Sequence, residues 1–166
     1  MSTRWLTDEE RVAWVRLAAV VELLPGVLDA QLRRDSRLSH FEYFVLAMLS
    51  EAPERTLRMT ALAARTNATL PRLSHVVSRL EDRGLVARSP CPEDGRATNA
   101  RLTAGGWATV VDAAPGHVAT VRSQVLDALD DAQVRQLAQI AESILGRIDP
   151  DGVVMAPQRD AGAPTG

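Results

Sequence analysis

A chain of 166 residues, 46% of them hydrophobic, is long enough for one core and short for two domains. Its 19 basic residues, all Arg, face 21 acids, and the net charge of −2 excludes a uniformly basic nucleic-acid binder. No run approaches the roughly eighteen apolar residues of a membrane span, and MSTRWLTDEE lacks the apolar core of a signal peptide, so a cytoplasmic protein is expected.

The elements follow in chain order. Thr7-Asp8-Glu9-Glu10 is a capping box opening a first helix through Val12, Val15, Ala19, Leu23, Leu24, Val27, Leu28 and Leu32. Pro25-Gly26 is expected to kink or divide it. Ser39 with Glu42 forms a second capping box, for a helix ending at Ala52-Pro53. Leu62, Ala63 and Thr66 carry a helix of about two turns, and Asn67 tolerates the left-handed turn that follows. Thr69 is the N-cap of the next helix, in which Leu73, Val76, Val77 and Leu80 bury one face. Arg72, Ser74, His75, Ser78 and Arg79 fall on the other face, and Gly84 ends the helix.

A hairpin is predicted next. Leu85 to Arg88 is one strand, Asp94-Gly95 the turn, and Ala100 to Leu102 the returning strand. Thr103 begins a long helix, interrupted or bent at Pro115-Gly116 and running towards Leu129. Asp130 with Gln133 opens the last helix, whose stripe is Val134, Leu137, Ile140, Ile144 and Leu145. From Pro150 onward Gly and Pro dominate without periodicity, and disorder is expected.

Charge is unevenly spread. Between Arg58 and Arg101 stand 8 Arg and 4 acids (Glu81, Asp82, Glu93, Asp94), a local excess of +4 within a chain of net −2. Helix, turn, helix and a hairpin with Arg96 beside its turn form a basic module between two apolar helical regions. One Cys makes no internal disulfide, and His40, His75 and His117 are far apart, so neither a metal nor a cofactor is expected. No nucleophile–base pairing, phosphate-cradling Gly loop or paired carboxylates points to an enzyme, and no catalytic residue is assigned.

LEDRGLVAR, the D-G-R turn and LT-x-x-G resemble the MarR family of winged helix-turn-helix transcriptional regulators. The resemblance covers roughly residues 8–148. It implies a mainly α fold with a small β-hairpin wing, divided into four parts. These are an N-terminal helical dimerisation segment (1–38), a DNA-binding domain (39–103), C-terminal dimerisation helices (104–149) and a disordered tail (150–166). It also implies a homodimer with its recognition helices in successive major grooves of a palindromic double-stranded DNA operator.

On that reading Arg72 and His75 reach base edges, while Thr69, Pro71 and Ser74 touch sugar-phosphate or a thymine methyl. Arg79 either meets DNA or pairs with a carboxylate inside the domain. Leu70 and Pro71 depart from the family's commoner small polar pair, and Leu70 is expected to turn inward. The resemblance places Arg96 in the minor groove, aimed by a forked salt bridge from Asp94, with Arg88 and Arg101 on phosphate at the strand bases. Ala97 stands where relatives often carry a second basic residue.

The family commonly binds small aromatic or phenolic effectors between its dimerisation helices and DNA-reading lobe. Trp14, His40, Tyr43, Trp107 and His117 are candidates to line such a cleft, and ordinary packing is the alternative for each. Cys91, between two prolines on the wing, is read as an exposed thiol open to oxidation. The function expected is a ligand-responsive DNA-binding repressor; the alternative is a winged-helix module for protein–protein contact without DNA.

Overall fold

Thr7 opens the first helix as its sequence requires: Thr7 Oγ1 accepts from Glu10 N–H at 3.2 Å, and Glu10 Oε2 accepts from Thr7 N–H at 2.8 Å. The computed structural model describes residues 3–155. Helix α1 spans Asp8–Ser36 without a break, so Pro25-Gly26 does not divide it. Proline removes only one internal donor, and the second half of α1 is held by Leu28, Gln31 and Leu32, all buried. Arg37 closes it in the left-handed conformation, with its N–H on the Arg33 carbonyl.

Helix α2 (His40–Ser50) begins with the reciprocal Ser39–Glu42 box. A 3₁₀ turn at Pro53–Arg55 leads to strand β1 (Thr56–Arg58), then helix α3 (Met59–Arg65) and helix α4 (Leu70–Asp82). Strands β2 (Val86–Cys91) and β3 (Asp94–Leu102) follow, then helix α5 (Ala104–Gln124), a 3₁₀ turn at Leu126–Ala128 and helix α6 (Asp131–Ile148). Pro115 lies inside α5, which is also unbroken. This is the mainly helical architecture with a small antiparallel wing that the sequence implied.

The sheet differs from expectation in two ways. It has three strands, ordered β1-β3-β2, with Thr56 opposite Arg101 and Arg58 opposite Asn99. Its turn is Pro92-Glu93, because Cys91 pairs with Asp94, and Asp94-Gly95 already belongs to β3. Proline pre-sets the backbone angle of a turn's second residue, which favours Pro92 over Asp94 as the pivot. Pro90 is tolerated inside β2 because that strand lies at the sheet edge.

Leu38, Val45, Leu46, Leu49, Leu62, Leu73, Val77, Leu80 and Val86 form a dry core under the α3–α4 pair and the wing. Thr103 fastens α5 to it: its hydroxyl donates to the Gly84 carbonyl at 2.6 Å and accepts from Gly106 N–H at 3.0 Å. The last glycine of LT-x-x-G has a steric reason. A Cβ at Gly106 would overlap the Leu85 carbonyl oxygen and come 2.5 Å from Leu102 Cδ1.

The outer helices are the opposite of that core. No residue of α6 is buried, and Leu137, Ile140, Ile144 and Ile148 face outward, as do Val12, Val15, Val20 and Leu23 of α1. Beyond α6 the chain stays held as far as Met155. Asp149 accepts from Val153 and Val154 N–H, and Met155 N–H donates to the Arg65 carbonyl at 3.0 Å. Disorder expected from Pro150 is therefore not seen at 150–155; residues 156–166 lie outside the described residues. Among the described residues no helix is long and apolar enough to cross a membrane.

Candidate nucleic-acid interface

The turn between α3 and α4 sets the exposed face. Asn67 is left-handed with φ 49°, and the buried Thr66 hydroxyl donates back to the Leu62 carbonyl at 2.7 Å. Thr69 caps α4 by accepting from Arg72 N–H at 3.4 Å, and Pro71 falls in the first turn, where no internal acceptor awaits an N–H. Pro71, Arg72, His75 and Arg79 are exposed and Ser74 is partly so. Leu70 does not turn inward; it is 44% exposed.

The cations on this face differ in how firmly they are held. Arg72 lies over the Phe41 ring, 4.2 Å from its centroid, a contact of about 1 kcal/mol at an exposed site. Arg79 meets Glu42 Oε1 at 2.9 Å, outside hydrogen-bond alignment, and Arg83 approaches Glu42 Oε2 at 3.7 Å. Glu42 is itself buried and accepts from Ser39 N–H at 2.8 Å. Of the two roles open to Arg79, the structure displays the carboxylate pair, which ties α4 to α2. Arg88 is likewise engaged, its Nε 3.0 Å from Glu81 Oε2, and the Glu81 carboxyl is held below its usual range by the Arg88 backbone N–H and guanidinium.

On the wing, the forked Asp94–Arg96 salt bridge is not made. Asp94 Oδ1 instead accepts from the Arg96 backbone N–H at 3.1 Å. A short carboxylate reaches the backbone two residues on more easily than it reaches a long side chain leaving the same strand. The Arg96 side chain is exposed, as is Arg101 further along β3. Cys91 is buried, not exposed. Its thiol pKa is lowered, first by the Glu93 backbone N–H and then by that of Asp94 and the Arg58 guanidinium, against the effect of burial.

Between α4 and the wing lies a groove of about 230 Å³, lined by Arg58, Thr60, Leu70, Ser74, Arg88 and Arg96 among others. Arg58, counted in the sequence only towards the basic segment, and Thr60 were not among the expected DNA contacts, because only the unforeseen strand β1 brings the start of α3 beside the wing. Hydroxyls and guanidinium groups along a groove suit phosphate oxygens and base edges.

The effector candidates separate into two sets. His40, Tyr43 and His117 come together where α1, α2 and α5 meet: the histidine rings stack at 6.4 Å, and Tyr43 stands 4.6 Å from His117. His117 Nδ1 is buried without a partner, as is Oε1 of the neighbouring Gln31. Trp14 and Trp107 are elsewhere. Trp14 is exposed on the first half of α1, and Trp107 lies under the Arg55 guanidinium, 3.8 Å from the ring centroid.

Burial holds both imidazoles below their ordinary pKa of 6.5; the His40 charge adds to the effect at His117, while Asp29 opposes it at His40. As pH falls through 6.5 the unfolded chain takes up these protons before the folded chain does, so stability declines below that value. The melting temperature is expected to fall between pH 7 and pH 5, above the range where ordinary carboxylates titrate. The fall should shrink in a His40→Gln/His117→Gln double variant; an undiminished fall would assign it to other groups.

A family model described as MarR family matches residues 38–97. Sco3205, a MarR family transcriptional regulator from Streptomyces coelicolor solved in complex with DNA, is 42% identical with a TM-score of 0.84, covering 88% of this chain and 95% of its own. AbsC, a MarR family transcriptional regulator from the same organism, is 38% identical with a TM-score of 0.79, covering 87% of this chain and all of its own. The HTH-type transcriptional repressor Rv2887 of Mycobacterium tuberculosis is 33% identical over 103 residues, which is 62% of this chain and 72% of that protein.

Proposed function

The chain belongs to the MarR family of winged helix-turn-helix transcriptional regulators, and on that premise we propose that it is a sequence-specific double-stranded DNA-binding repressor acting as a homodimer. Helix α4 enters the major groove of each half of a palindromic operator, and Arg96 enters the adjoining minor groove. The observation that carries the proposal is the groove between α4 and the wing, lined by Arg58, Arg88 and Arg96, beside a helix that also exposes Arg72 and His75. It is supported by the likeness to Sco3205, whose structure was solved with DNA.

The dimer is supported by the outer helices. A trough of about 650 Å³ runs between α1 and α6, lined by Val20, Leu23, Leu24, Val27, Leu137 and Ile140. Apolar side chains left exposed side by side on α1 and α6 mark a protein interface, and a two-fold partner sets the half-sites about 10 bp apart. Effector control is proposed at the His40–Tyr43–His117 joint, where helices of the dimerisation and DNA-reading parts meet. A small aromatic or phenolic acid inserted there would move α5 against α2.

Arg96→Ala tests the DNA role. Its exposed guanidinium contributes little to folding, so the melting temperature should hold while affinity for an operator duplex falls at least tenfold. The slope of affinity against salt should drop by about two per dimer. Unchanged affinity at about 0.15 M salt would remove the wing from the interface and favour the protein-contact reading.

A further inference from the structure

Leu70 continues the apolar stripe of α4, standing three residues before Leu73 and seven before Val77, the spacing of one helix face. Leu73 and Val77 are fully buried, yet Leu70 is 44% exposed. The stripe runs one turn past the core, and its last member emerges in the groove shared with the wing. Its company there is polar: Arg58 and Thr60 from the β1–α3 junction, Ser74 one turn on, and Arg88 and Arg96 from the wing. Pro71, beside it, is exposed and has no N–H to offer.

The cations match the phosphates that flank a groove. An isobutyl group among them gains nothing from phosphate and has no hydrogen bond to give a base edge. The apolar group that the major groove presents is the C5 methyl of thymine; cytosine carries only a hydrogen at that carbon, beside an amine. We propose that Leu70 is a specificity-determining residue that packs on the methyl group of one thymine in each half-site. The assignment rests on the DNA-reading function proposed above and adds to it a base preference set by an apolar contact.

The test uses the full chain and duplexes that it enriches from a random library. Each thymine is replaced singly by deoxyuridine, which keeps the base pair and removes only the methyl. One thymine per half-site is expected to weaken binding about fourfold when so replaced, the worth of one buried methyl group. Both replacements together should cost about fifteenfold. In Leu70→Ser, whose melting temperature should match wild type because the side chain is exposed, that penalty should vanish. Leu70→Met should retain it, and 5-methylcytosine in place of cytosine at the same position of a mismatched site should raise affinity for wild type and Leu70→Met but not for Leu70→Ser. Absence of any methyl-sensitive thymine, or a full penalty persisting in Leu70→Ser, overturns the assignment and leaves DNA reading intact. Enrichment of no sequence overturns both.

Discussion

Leu137→Asp combined with Ile140→Asp should yield a monomer whose operator affinity is at least a hundredfold below that of the wild type. Both side chains line the trough between α1 and α6, and no residue of α6 is buried within its own chain. A carboxylate in a dry interface is strongly destabilising without a partner, whereas on an exposed helix of a lone chain it is harmless. The DNA-reading core of Leu46, Leu62, Leu73 and Val77 lies apart from α6 and should remain folded. What is lost is the second half-site. Linked sites gain a factor of about 10² to 10⁴ from their effective concentration, and a monomer forfeits it. Light scattering and operator titration on one preparation check both halves; a monomer with full operator affinity would dismiss the dimer.

Gly106→Ala is the second large effect, and it acts on stability. The added methyl group would collide with the Leu85 carbonyl oxygen, a backbone atom at the junction of α4 and β2, and with Leu102 Cδ1 at the end of β3. Neither gives way without shifting the wing or α5. Overpacking a tight site costs about 1–3 kcal/mol, and a backbone clash belongs at the upper end of that range. For a chain of this size the melting temperature should drop by roughly 5–10 °C. Gly26→Ala is the matched control, because nothing lies within 4 Å of a Cβ there and the residue is helical. Equal melting temperatures for the two variants would contradict the close approach of α5 to the wing.

Local signals were the legible part. Three capping boxes, at Thr7, Ser39 and Asp130, formed as reciprocal pairs because their partners lie only three residues away. The same holds for the Thr69 cap, the left-handed Asn67 and the buried stripe of α4. Proline did not break the helices: Pro25 and Pro115 sit inside continuous ones, and Pro92 took the turn from Asp94-Gly95. Strand β1 was invisible, since three residues carry no periodicity and owe their extended form to pairing with β3.

Within the candidate site, the residue types on α4 were legible, but their partners were not. That Arg79 pairs with Glu42, Arg88 with Glu81 and Arg72 with the Phe41 ring depends on contacts beyond the local helix turn. Asp94 was given the right neighbour and the wrong atom, its oxygen lying on the Arg96 backbone N–H. Leu70, an apolar residue where relatives carry a small polar one, was expected to turn inward, but the core ends at Leu73 and leaves it exposed. His40, Tyr43 and His117 were picked as chemistry-bearing side chains, and the packing of α2 against α5 brings them together; Trp14 and Trp107, chosen the same way, are separated.

On the proposed reading, two copies of this chain read one operator through α4 and the wing. Selection of duplexes from a random library by the full chain, followed by light scattering of the complex, measures it most directly. The expected result is a palindrome with half-site centres about 10 bp apart and two chains on each duplex. Enrichment of no sequence, or of an unpaired half-site carrying one chain, would contradict it.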